Sequence, residues 1–147
     1  MAITCGISVA ESETANRNWF AAHPGIKDWH VRTERMLKTE GMIENRFGAR
    51  RYFFDRTDGI LPEALAWQPQ SMVAIYINKA WLAIDRELPA VQILLQTHDS
   101  LTGQVPIGMK DELEPKIINA ARIEIPYPKK LIIPASANWS TKSWGDC

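Results

Sequence analysis

The sequence predicts an α+β fold with antiparallel pairing, and three observations carry that expectation. Helical periodicity runs through residues 10–40 and returns before Glu87. Short apolar or alternating runs, bounded by turn residues, follow each helical stretch. The resulting order is helices, then hairpin, helix, hairpin, helix and strand. With 147 residues and 46% hydrophobic composition, the chain suits one domain or a large piece of a bigger one, with a real core.

Each element has a local reason. Ala10 to Ala22 reads as a helix, broken at His23-Pro24-Gly25. Proline is well placed in the first turn of the next helix, where Ile26, Trp29, Met36 and Leu37 mark one apolar face. Gly41 is the expected stop. Met42 to Phe54 alternates around Phe47-Gly48, predicting a short hairpin that presents Arg50 and Arg51 before a loop at Thr57-Asp58-Gly59.

The next helix is expected to begin between Glu63 and Gln70 and to run to about Glu87, ended by Pro89. Val73, Ile77, Ala80, Ile84 and Leu88 follow helical spacing. Met72, Ile75, Tyr76, Trp81 and Leu82 make its other faces apolar, predicting burial on more than one side. Val91 to Thr97 and Leu101 to Val105 read as paired strands, Lys110 to Ile123 as an amphipathic helix and Leu131 to Ala135 as a final strand.

Formal net charge is zero, which excludes a uniformly basic nucleic-acid binder. The signs separate locally. Lys27 to Arg56 holds eight Lys/Arg against five acids, whereas Lys79 to Pro115 holds three bases against six acids. Such a division suits either solvated surface or a protein holding phosphates in one place and a metal in another. The two cysteines, Cys5 and Cys147, lie at opposite ends and form no disulfide framework, so a reducing compartment is expected. No basic leader precedes an apolar run, and no run reaches the roughly 18 residues of a membrane helix.

The chemistry concentrates at Leu94 to Pro106, LLQTHDSLTGQVP, where His98-Asp99-Ser100 interrupts two apolar segments. A Ser-His-Asp triad is rejected, because adjacent residues on a strand point to opposite faces. Two readings remain open on the residues alone. One is a polar turn in which Asp and Ser bond the local backbone. The other is a metal-binding carboxylate at a hairpin tip, with Asp99 offering hard oxygen ligands to Mg²⁺ beside substrate phosphates.

The segment resembles motif C of family A DNA polymerases, the polymerase I type of bacteria and phages: an apolar strand, a His-Asp pair and a second apolar strand. The resemblance extends over roughly Gly6 to Gly145. Ala22-His23-Pro24-Gly25-Ile26, a spacer helix and then Gly41-Met42-Ile43-Glu44-Asn45-Arg46-Phe47-Gly48-Ala49-Arg50-Arg51-Tyr52 are similar to the family's Pro-Gly-Val, helix and arginine-rich hairpin. Pro69-Gln70-Ser71-Met72-Val73-Ala74 resembles the segment carrying its Gln, and Ser143-Trp144-Gly145 its tail.

The resemblance implies distal fingers helices and a basic hairpin over residues 1–60, then the carboxy-terminal half of a palm over residues 61–147. It implies that Asp99 is one of two carboxylates holding two Mg²⁺ ions and that His98 lies beside the primer terminus. Gln70 would touch the minor-groove side of the duplex, and Arg50 and Arg51 the template, unless salt bridges engage them. Primer–template DNA and dNTP are the implied partners, in bacterial or phage-infected cytoplasm and away from membranes. Ser100 stands where the family has a carboxylate, a departure shared with single-subunit phage RNA polymerases.

The family's motif A Asp and motif B fingers helix have no counterpart in Met1 to Glu40, and Thr4 to Val9 resembles the stretch just after motif B. The chain alone is therefore expected not to polymerise DNA without an amino-terminal polymerase fragment. Three alternatives are a non-catalytic nucleic-acid-binding or interaction module on the same fold, the palm fragment of a single-subunit RNA polymerase, and an orphan fragment that aggregates through an exposed Val73/Ile77/Ile84 face.

Overall fold

A computed structural model describes residues 6–54 and 59–147. The expected loop at Thr57-Asp58 and the residues Thr4 and Cys5 lie outside them. The chain divides into two compact units, Met1–Ile43 with Arg50–Ala66, and Glu44–Ala49 with Trp67–Cys147.

In the first unit, α1 (Val9–Ala22) starts at a capping box. The Glu11 amide donates to Ser8 Oγ at 3.2 Å, and the Ser8 amide donates to Glu11 Oε2 at 2.8 Å. These bonds satisfy two backbone donors that a helix start leaves orphaned. The Ser8 hydroxyl, donating to Glu11 Oε2 at 2.7 Å, together with the Ser8 amide holds the Glu11 carboxyl below its ordinary pKa. His23 separates α1 from α2 (Pro24–Glu40), and the proline opens α2 where no amide is needed. Gly41 closes α2 in the left-handed conformation, φ 63°, and its amide reaches Leu37 O at 3.1 Å. Thr33, Leu37, Ile43 and Ala64 are buried in this unit.

The first hairpin pairs β1 (Met42–Glu44) with β2 (Arg50–Tyr52). α3 (Leu61–Glu87) begins ahead of the expected window and continues through Pro69. An internal proline removes one intrahelical bond, and side-chain bonds in the adjoining turn, described below, cross-brace that stretch.

The second unit is built on the later turns of α3. Tyr76, Ile77, Ala80, Ile84 and Leu88 are buried along one stripe of the helix. Of the residues expected to add a second buried face, Tyr76 is buried and Met72 packs on its cluster, whereas Leu82 remains 50% exposed. The expected exposure of Ile77 and Ile84 is also corrected, because both lie within the chain's own core. Tyr76 and Ile77 pack with Ile125, Phe47, Met72, Leu101 and Tyr127, while Ile84 and Leu88 pack with Ala120, Ile93, Leu101 and Ile117. Leu101 joins both clusters, so the second hairpin is pressed against the helix at two levels.

That hairpin is β3 (Gln92–Thr97) and β4 (Ser100–Gln104). It is followed by α4 (Lys110–Ala120), which ends three residues before the expected Ile123. The chain then forms a two-residue strand, β5 (Glu124–Ile125), where the sequence predicts none nearby. β5 pairs antiparallel with β6 (Leu131–Ile132), shorter than expected. The buried Tyr76 hydroxyl donates to Ala121 O at 2.7 Å, with Ile133 O a second acceptor at 3.1 Å. One side chain of α3 thereby ties both ends of this small ribbon.

Candidate functional site

The geometry of His98 and Asp99 follows from strand register. β3 and β4 pair antiparallel, with Gln96 opposite Leu101 and Thr97 opposite Ser100, which leaves His98-Asp99 as a two-residue turn. Tight hairpin turns match strand twist only when a central residue takes positive φ. Here His98 takes it, φ 51°, the only non-glycine residue to do so among the described residues. Histidine tolerates this region better than branched side chains, but glycine fits it more readily. A non-glycine residue held there motivates a functional reading.

Asp99 and His98 are both exposed. Ser100, not Asp99, makes the local bond of a polar turn: its Oγ donates to Thr97 O at 2.9 Å. Among the described residues the Asp99 carboxylate has no hydrogen bond or ion pair. Both of its oxygens are therefore available to a ligand, and the carboxylate does not cap neighbouring amides.

The ribbon beneath is closely fitted. Leu94 forms a bulge between Ile93 and Leu95, which changes local twist. A Cβ on Gly103 would lie 2.8 Å from Gln92 O and 3.4 Å from Ile93 Cα. Only glycine lets the strands approach this closely.

Gln70 is exposed on α3, one turn of chain from a cross-brace that sequence reasoning missed. Asn45, buried at 6% exposure, accepts from the Phe47 amide at 2.9 Å and the Ala49 amide at 3.1 Å through Oδ1. Its Nδ2 donates to Ser71 Oγ at 2.8 Å, and Ser71 Oγ donates to Gln68 O at 3.1 Å. Gln68 Nε2 closes the circuit on Glu44 O at 3.2 Å. The tip of the first hairpin is thus clamped to the helical turn that presents Gln70. An Asn three residues before a glycine was the available signal, since Asn favours turns by bonding its own backbone.

Arg50 and Arg51 lie on β2 in the first unit, while Gln70, His98 and Asp99 belong to the second. Arg50 is exposed. The Arg51 guanidinium pairs with Glu63 and sits 5.0 Å above the Phe53 ring.

Among the described residues no group of three His, Cys, Asp or Glu side chains converges. One unengaged carboxylate suits Mg²⁺, which is usually held by one or two carboxylates together with phosphates and water. It does not suit a metal needing an all-protein cage.

A ribbon with a His-Asp turn, packed on a long helix, is the arrangement expected of a nucleotide-polymerising palm, and the known proteins similar to this chain are of that class. DNA polymerase I of Deinococcus radiodurans is 27% identical over 146 residues, 91% of this chain and 15% of that protein. DNA polymerase I of Mycobacterium leprae is 27% identical over 150 residues, 95% of this chain and 16% of that protein. The thermostable DNA polymerase I of Thermus filiformis is 29% identical over 118 residues, 73% of this chain and 14% of that protein. No protein-family model matches.

In structure the chain is similar to the POL domain of Pol1 from M. smegmatis, which was solved in complex with DNA primer-template and dNTP. The TM-score is 0.72 at 25% identity, over 82% of this chain and 23% of that one. By sequence and fold the chain is therefore similar to the carboxy-terminal portion of a family A DNA polymerase. It spans about one-sixth of the length of these curated relatives. No helix among the described residues is long and apolar enough to cross a membrane.

Proposed function

We propose that these 147 residues form the motif C part of a family A DNA polymerase, which adds dNTPs to a primer 3′-hydroxyl during DNA replication. The observation that carries this reading is the unengaged Asp99 carboxylate, held at a two-residue turn by a ribbon packed against α3. Asp99 is the one Mg²⁺ ligand this stretch provides. The second carboxylate, and the groups that grip the incoming nucleotide, come from polypeptide outside these residues.

Bound Mg²⁺ would lower the pKa of the primer hydroxyl and neutralise charge on the triphosphate. The protein's own residues supply position. His98, adjoining Asp99 on the turn, lies beside the primer terminus. Gln70 touches the minor-groove side of the nascent duplex, reading shape rather than sequence. Arg50 and Arg51 are the template contacts of the first hairpin, and Arg51 is also engaged by Glu63 and Phe53. The stiff ribbon matters because a site displaced by about 1 Å loses most of its function.

The test is primer extension with Mg²⁺ and dNTPs. The chain alone is expected to be inactive and to extend primer when mixed with an amino-terminal family A fragment carrying the other metal carboxylate. Full activity from the chain alone would contradict the division of ligands. DNA binding without extension in any mixture would favour a non-catalytic binding module.

A further inference from the structure

The tip of the first hairpin carries a feature that the His98-Asp99 site does not use. Arg46 is exposed, and its guanidinium carbon lies 5.2 Å from the centroid of the Tyr127 ring. Lys79, exposed on α3, places its ammonium 5.6 Å from the centroid of Phe47, the neighbour of Arg46. Neither cation has an acidic partner among the described residues, whereas Lys38, Arg51, Lys116 and Lys130 each pair with a glutamate.

The two rings belong to one cluster. Phe47 and Tyr127 both pack on the core of Tyr76, Ile77 and Ile125. The turn beneath Arg46 is fixed at both ends by Asn45, whose amide also donates to Ala49 O at 2.9 Å. Arginine and lysine on aromatic faces lose side-chain freedom while keeping their charge and outward donors. Two such cations, unneutralised and pre-positioned on one aromatic base, suit a polyanion with regularly spaced charges.

We infer that Arg46 and Lys79 form a phosphate-binding clamp for the backbone of duplex DNA, separate from the arginines of β2 and independent of base sequence. This inference rests on the reading of the chain as part of a DNA polymerase. It adds a backbone contact on the second unit, where that reading has only Gln70 and the His98-Asp99 turn.

The experiment is fluorescence anisotropy of the full chain with a labelled primer–template duplex across a series of KCl concentrations. Each phosphate contact contributes about 0.9 to the slope of log affinity against log salt. Arg46→Gln and Lys79→Gln are each expected to flatten the slope by about one such step, and the double variant by about two. The loss should be the same for unrelated duplex sequences. Arg46→Lys, which keeps the charge, should retain the slope even if it loosens the Tyr127 contact, and this separates charge from fold. Variants that bind with an unchanged slope would overturn the clamp and leave the polymerase reading standing. A wild-type chain that fails to bind the duplex would overturn both.

Discussion

Replacing Gly103 with alanine tests how the Asp99 ribbon is held. Although Gly103 is exposed, the added carbon would meet backbone rather than a flexible side chain, at 2.8 Å from Gln92 O and 3.4 Å from Ile93 Cα. Backbone yields only if the strands part, and overpacking of this kind costs about 1–3 kcal/mol. Alanine also lowers the entropy of the unfolded chain, which offsets about 0.5–1 kcal/mol. The expected net loss is about 1–2 kcal/mol. Urea melts followed by tryptophan fluorescence should show a lower midpoint with an unchanged slope. Partner-dependent primer extension should fall by more than the stability loss explains, because parting the strands moves the turn. A variant as stable as the wild type, or more so, would refute the close-approach argument.

Three further predictions concern neighbouring residues. Asn45→Ala removes the acceptor of two amides and the donor to Ser71, and should cost about 2–3 kcal/mol. Hydrogen exchange should report it first at the Phe47 and Ala49 amides, and unchanged protection there would contradict the cross-brace. Tyr76→Phe strands two carbonyls and should cost about 1–2 kcal/mol in urea melts. Burial also raises the Tyr76 pKa. Its stabilising contribution is therefore complete below the ordinary phenol value of about 10 and is lost as pH rises through the higher folded value. Alkaline unfolding of the Phe variant should lack that step. His98→Gly relieves positive φ, so stability should hold or rise by up to about 1 kcal/mol while partner-dependent extension falls. Retained extension would leave His98 a turn residue only.

The legibility of the sequence varied with the range of the forces involved. The helices of the first unit were readable because capping and glycine stops are local: Pro24 and Gly41 act within one turn of themselves. The second hairpin was readable for the same reason, its apolar runs flanking a polar pair. The start of α3 was not, because Pro69 argues locally for a boundary that the longer helix overrides. β5 was hidden because a two-residue strand exists only through its pairing with β6. Among the candidate site residues, the His-Asp pair was legible as a polar break between two apolar runs, but that Ser100 rather than Asp99 makes the local bond, to Thr97 O, was not. Asn45, Ser71 and Gln68 were invisible as a set, since their bonds join residues more than twenty positions apart in sequence.

The central claim is most directly tested by Asp99→Asn, assayed with the amino-terminal partner fragment at saturating Mg²⁺. Asparagine keeps the shape of the turn and removes the charge that would hold the ion. Primer–template affinity is expected to stay within about twofold, less than 0.5 kcal/mol, while the extension rate falls by several orders of magnitude. Extension at the wild-type rate by the Asn variant would contradict the account.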